Sequence, residues 1–380
     1  MTPFRKPVHP RELYIGLQRS FIKRLSPYLE ARNLAINAAL ALVFYLVGII
    51  GLRSGAPSDP VTAIWLPAGI ALAALLLKGN RVWPGLFVGA LLLSIKMCRS
   101  IPVSVGFAIG STLEALLGAY LVNKYANGIQ AFSKARDVLR FVLLGGMLPS
   151  ALSATYGAAQ LCAAGFGKWS EFSTLWSVWC VGDLLGILLL TPFLVLLLGH
   201  KHHRSSLAEQ LEIAASIAGL SLVCVLNFGP RPMSWIPGNG FLFLCAPFLA
   251  WAALRFCPLE AAGAIFVMGG FAVWGSVHGF GPFENGVSLP IFVGVFLAMG
   301  SATTLTVAAA SAEQKSATRD VLGMYCVLKD VKEGEIRVLR DTVEALQSEL
   351  ARNGRDRTRG AQEGGKPRAG TSISLDSQIP

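Results

Sequence analysis

The sequence predicts an all-α integral membrane protein, a polytopic bundle of about 8–10 transmembrane helices followed by a short cytoplasmic coiled coil. Three observations carry that reading. Only 14% of the 380 residues are charged and 53% are hydrophobic, whereas a water-soluble domain carries about 25% charged residues. The charges crowd the ends: nine lie in residues 1–33 and 23 in residues 313–380, leaving 23 for the 279 residues between. That is too few to cover a surface facing water. From residue 34 onward, apolar runs close to the ~20 residues that cross a bilayer follow one another with short polar breaks. The runs are continuous rather than alternating, which argues against a β-barrel.

Residues 1–33 lack the apolar core and cleavage site of a secretory signal and are expected to be retained. Tyr14, Leu17, Phe21 and Leu25 recur at helical spacing, with Arg11, Arg19, Lys23 and Arg24 outside that stripe. The pattern predicts a basic amphipathic cytoplasmic leader lying on the membrane surface. The membrane domain, 34–310, divides into spans near 34–52, 61–77, 82–97, 101–122, 139–163, 174–198, 210–228, 240–256, 259–277 and 287–310. Ten helices fit, or eight if the short third and ninth do not fully cross. With ten spans and an inside N-terminus, 16 Lys/Arg residues before the C-terminal tail fall on the inner side and five on the outer. This bias places both ends in the cytoplasm of a bacterial inner membrane.

Proline and glycine punctuate the spans at Trp65-Leu66-Pro67-Ala68-Gly69, Trp83-Pro84-Gly85, Gly145-Gly146 with Pro149, and Pro192. Neighbouring helices can satisfy backbone groups freed at such breaks. Pro67-to-Gly89 and Pro247-to-Val267 also echo one another, each with a proline, an alanine-rich half-turn and a basic residue before the next span. After Ala312 the composition turns charged. Residues 311–352 carry two short heptad blocks, Val321, Met324, Leu328, Val331 and then Ile336, Leu339, Val343, Leu346, Leu350, offset by one residue around Gly334. A two-stranded coiled coil fits them. Residues 353–380, rich in Arg, Gly and Ser, are expected to be disordered.

Two carboxylates fall well inside the spans, Glu114 and Asp183, and an unrewarded charge at a helix centre costs about 2.5–3.5 kcal/mol on insertion scales. Gly106, Gly110, Glu114 and Gly118 share one helix face, where glycines admit a close neighbour, so Glu114 is expected to point into the bundle. Trp176, Trp179, Asp183 and Gly186 fall at i, i+3, i+7 and i+10. That face suggests a small polar pocket walled by indoles, receiving a ligand or sensing a change in its surroundings. The alternative is two neutral acids hydrogen-bonded across packed helices. Trp65, Trp83 and Trp169 sit near span ends, where interfacial anchoring is the simpler role.

Other chemistry finds little support. Seven scattered cysteines form no CxxC pair and imply neither a disulfide framework nor a zinc site. The His200–Arg204 run lacks a nearby carboxylate, and neither metal nor any other cofactor is expected. No glycine-rich phosphate loop, GxSxG elbow or HExxH pair occurs. Two Glu-Ala-Leu tripeptides, at 114–116 and 344–346, lie in a span and in the heptads and are coincidental. The net charge of +11 sits in the ends and short loops, where anionic membrane lipids rather than nucleic acid are the expected partner.

Three blocks resemble a known family. WLPAGIALAALLLKGNRVWPGLFVG from Trp65 to Gly89, WSVWCVGDLLGILLLTP from Trp176 to Pro192, and Arg255-Phe256 followed by Gly281-Pro282-Phe283 are similar to the first type of membrane-associated sensor domain, the MASE family, found at the input end of bacterial histidine kinases and diguanylate cyclases. Trp65, Pro67, Gly69, Trp83, Pro84, Gly85, Trp176, Trp179, Gly182, Asp183, Gly186 and Pro192 carry the pattern, while Cys257 stands where glycine would follow Arg-Phe. The resemblance implies a multi-span sensor of an unidentified signal driving a cytoplasmic catalytic domain. The 68 residues after Ala312 are too few for a cyclase or kinase. The expectation is therefore a non-catalytic sensor, not an enzyme, that reads a ligand or membrane state around Trp65, Pro67, Glu114, Trp176, Trp179 and Asp183. It would relay through residues 311–352 to a cytoplasmic or membrane signalling protein or to a second copy of the chain. The broken helices and the internal echo keep a small-molecule transporter as the rival reading.

Overall fold

The computed structural model describes residues 30–53, 64–199, 206–230, 240–278, 280 and 288–363. Most of the basic leader, the His200–Arg204 run, Gly281-Pro282-Phe283 and residues 364–380 lie outside the described residues. The described chain is helical, with no strand. Its helices are α1 (Ala31–Arg53), α2 (Leu66–Lys78), α3 (Trp83–Cys98), α4 (Ile101–Tyr125), α5 (Ala135–Arg140), α6 (Leu148–Ala163), α7 (Phe172–Gly199), α8 (Leu207–Phe228), α9 (Cys245–Arg255), α10 (Pro258–Val277) and α11 (Ser288–Glu363). Eight helical stretches are long and apolar enough to cross a membrane, one of them Ala135–Ala163, which joins α5 to α6 through a π-helical segment, Phe141–Met147.

The two short helices are not the ones the hydropathy suggests. Asn80–Cys98 and Pro258–Gly275, the expected third and ninth spans, are long enough to cross, whereas the second and eighth shrink to Leu66–Lys78 and Leu242–Arg255. The reason is local chemistry. Apolar residues run on past each helix start, but Pro67 occupies the first turn of α2, where its missing N–H and fixed φ fit. Gly79, at φ +73°, ends that helix in a conformation that penalises a Cβ. A 3₁₀ turn, Gly240–Leu244, takes the first residues of the expected eighth span before α9 begins. These short helices are the two arms of the sequence echo, each leading through a tight turn into a longer helix. Most of the other proline breaks are also helix starts: Pro84, Pro102 and Pro149 stand in the first turns of α3, α4 and α6. Pro192 sits inside α7, and Pro149, though in the first turn of α6, lies within the continuous Ala135–Ala163 stretch just after its π-helical turn.

The centre of the bundle is α7, 72% of whose apolar window is buried against 22% for α1 and α8. Glycine governs how closely it is approached. A Cβ on Gly186 would run into the Trp65 carbonyl, and one on Gly69 into the Gly186 carbonyl. At that crossing Trp65 N donates to the Gly182 carbonyl (2.9 Å) and Thr191 Oγ1 to the Gly69 carbonyl (3.0 Å). The α1–α3 seam is fixed in a similar way, Gly85 N donating to Asn37 Oδ1 (2.7 Å) while the Asn37 amide donates to the Arg81 carbonyl (3.2 Å). Much of the Trp65–Gly89 block is thereby explained as helix docking.

The chain divides into two units, Met1–Gln314 and Lys315–Pro380. In the second, the helix is described to Glu363, eleven residues past the compositional break at 352, and every side chain from Lys315 to Arg352 is exposed.

Candidate functional site

The two intramembrane acids meet. Glu114, on α4, is 8% exposed and Asp183, on α7, 2%, and the two carboxyl groups lie close enough to interact. The glycine face of α4 places Glu114 there, as its spacing implies. Gly106 abuts Gln160, Gly110 the Tyr156 ring, and Gly118 the Gly145 carbonyl, which an added Cβ would meet at 3.0 Å. All three partners belong to the α5–α6 span.

That span also supplies the hydroxyls. Ser150 Oγ donates to Glu114 Oε1 (3.2 Å) and Ser153 Oγ to Asp183 Oδ2 (3.1 Å), with Ser153 within reach of both acids. Ser150 is fully buried and Ser153 nearly so. At i and i+3 they share one face of α6, so three helices converge on a single polar knot. The Trp179 indole stands near Asp183, its ring lying over Gly157, where a Cβ would come within 2.6 Å, and beside Phe107 at 5.6 Å between centroids. The thiol of Cys180, also buried, faces the pair.

Among the described residues no Lys, Arg or His interacts with either acid. The knot thus gathers two buried acids and two seryl donors with no basic countercharge.

Beside it lies a cavity lined by Phe44, Trp65, Ala68, Leu72, Ser111, Glu114, Gly145 and Ile187, with room for about one water molecule. Glu114 belongs to both knot and cavity, and so connects them. Gly145 comes from the π-helical segment, a wider turn of a kind common at functional sites.

The structure sorts the sequence candidates. Glu114, Asp183 and Trp179 come together, and Trp65 joins them through the cavity. Trp65 is half-buried, packed over Gly51, where an added Cβ would meet its ring at 3.3 Å. Trp83 and Trp169 remain exposed, at 40% and 64%. Pro67 is a buried helix-start residue that does not line the cavity. Trp176 turns from the acids, its indole N–H donating to Thr155 Oγ1 (2.9 Å). Ser150, Ser153 and Gly145 escaped the sequence reading. Their only sequence signal is a pair of serines three apart just after Gly145-Gly146 and Pro149.

Fold and knot together define a multi-pass helical membrane protein built around a buried acid pair. The sequence profile of the MASE1 family, membrane-associated sensor domains of sensory, non-catalytic character, matches residues 36–315, and the chain belongs to that family. No curated protein and no solved structure matches it.

Proposed function

We propose that the protein is a non-catalytic inner-membrane sensor whose detecting element is the Glu114–Asp183 pair and whose output leaves through the α11 stalk. The observation that carries this reading is the convergence of two costly buried acids from separate helices on one hydroxyl-lined knot. A shared proton holds α4 against α7. Its loss would leave two like charges in contact in a medium of low dielectric, where repulsion is strong. Proton occupancy therefore selects between two packings of α4, α6 and α7, and a ligand or membrane state acts by favouring one of them. The cavity beside Glu114 has room for about one water molecule, which supports sensing over carriage of an organic solute.

Sidedness follows from counting charges on the observed helices. If α2 and α9 act as crossing segments, the inner side keeps 16 Lys/Arg against five; if they do not, the split is 12 against nine. The strong bias supports ten passes with both ends cytoplasmic. A helix as short as α2 is tolerable because nine of its 13 residues are buried in protein rather than set against lipid.

The test is limited trypsin digestion of the stalk of full-length protein in sealed vesicles, across mildly acidic to mildly alkaline pH. Stalk cleavage is expected to change with pH in the wild type and to stay fixed in Asp183→Asn and Glu114→Gln. A pattern identical in all three proteins would overturn the reading, as would solute flux that Asp183→Asn abolishes.

A further inference from the structure

The stalk displays a face that a single chain leaves in water. Val321, Met324, Leu328, Val331, Ile336, Leu339, Val343, Leu346 and Leu350 are each 50–71% exposed. From Val321 to Leu350 the chain advances twenty-nine residues in eight steps, about 3.6 residues per step. Strict heptads drift by ~20° each on a straight α-helix. Here the extra residue at Gly334 cancels that drift, so all nine side chains fall within an arc of about 140° on one continuous helix. Lys332 and Glu335 interrupt the arc at the break. In the second block Glu335 directly precedes the first apolar position and Arg340 directly follows the second. In a parallel pair of helices those two flanking positions face each other across the seam, Glu335 of either copy meeting Arg340 of the other. Each stalk is joined to its own membrane bundle, so two copies inserted alike present their stalks on the same side in the same direction.

We propose that Val321–Leu350 pairs with the same segment of a second copy of this chain, parallel and in register, as a nearly straight two-stranded coil. Glu335–Arg340 contacts and the polar break at Lys332–Glu335 set the register, since charged residues at a seam penalise shifted alignments more than apolar ones do. This inference rests on the stalk being the output of the sensor and names what it binds first. An apolar face of thirty residues, about 45 Å long, meets the three to four heptads that a stable seam needs.

The experiment is oxidative cross-linking of full-length protein in native membranes, with Cys257 and Cys326 replaced by serine and one cysteine introduced at a time. Leu339→Cys and Leu346→Cys are expected to give a product of twice the chain mass, and Ser348→Cys, on the outer face, at least about fivefold less. Glu335→Lys should lower the Leu339→Cys yield, and adding Arg340→Glu should restore it. Equal yields at 339, 346 and 348, no product, adducts of another mass, or no restoration by the charge swap would each overturn the pairing. A stalk that is monomeric by this test yet still changes its trypsin cleavage with pH removes the pairing and leaves the sensor reading. A cross-linked stalk whose cleavage never responds does the reverse.

Discussion

Replacing Gly186 with alanine tests how the knot is held. The added methyl would overlap the Trp65 carbonyl oxygen, with the Trp65 carbonyl carbon at 2.6 Å and Leu66 Cα at 3.2 Å. These are backbone atoms and cannot swing aside as a side chain can. To restore ordinary contact, α2 must withdraw from α7 by about 1 Å, and overpacking of this kind typically costs ~1–3 kcal/mol. Withdrawal also stretches the Trp65 N–Gly182 and Thr191–Gly69 hydrogen bonds, worth about 1 kcal/mol each. The expected loss is ~3–5 kcal/mol, of which alanine's better helix propensity returns under about 1 kcal/mol. Gly270→Ala on α10 is the control, because nothing lies within 4 Å of its Cβ. It should leave stability unchanged or raise it by under about 1 kcal/mol. Equilibrium unfolding in mixed detergent micelles reads the difference. A Gly186→Ala protein within about 0.5 kcal/mol of wild type would refute the claim that α2 is docked backbone to backbone, since a change that small is typical of surface sites away from such features.

Four further outcomes follow. Ser153→Ala removes a donor from a buried acid and should cost ~1.5–3 kcal/mol in the same unfolding assay. Asp183→Ala strands the Ser153 hydroxyl and leaves a gap beside Glu114, and should cost about 3–5 kcal/mol, clearly more than the nearly isosteric Asp183→Asn, which keeps an acceptor for Ser153. Trp179→Phe withdraws the outer ring packed against Gly157 and should destabilise by ~1–3 kcal/mol, while Trp176→Phe costs less, losing one hydrogen bond to the exposed Thr155 hydroxyl. Thr191→Val should cost about 0.5–1.5 kcal/mol and loosen α2, seen as faster modification of a cysteine placed at Ala68.

The parts of this site legible in the sequence were those carrying a large cost. A carboxylate within a span is expensive enough to announce itself, and Gly106, Gly110 and Gly118, set from Glu114 by multiples of four residues, fixed the side of α4 to which Glu114 turns. Ser150 and Ser153 impose no such cost, since a hydroxyl can return its hydrogen bond to its own helix, as Thr155 and Ser177 do here. Their role exists only once α6 is seated between α4 and α7. The same holds for the indoles: Trp176 and Trp179 stand three residues apart on one helix face, yet Thr155 accepts from one while the other packs between Gly157 and Phe107. Hydropathy found the apolar mass but misassigned the short helices, because a window average does not register where Pro67 starts a helix or where Gly79 stops one. The family resemblance of Trp65–Gly89 was sound, and its physical content proved largely architectural: Gly69 and Gly85 are points of close helix approach.

The most direct measurement is infrared difference spectroscopy of full-length protein in vesicles, following the C=O stretch that only a protonated carboxyl group shows. If Glu114 and Asp183 hold one proton between them, the wild type has a single buried band that shifts slowly in D₂O, and Glu114→Gln and Asp183→Asn each remove or displace that same band. Two independent bands, each answering to only one substitution, or no buried carboxyl band at all, would contradict the account.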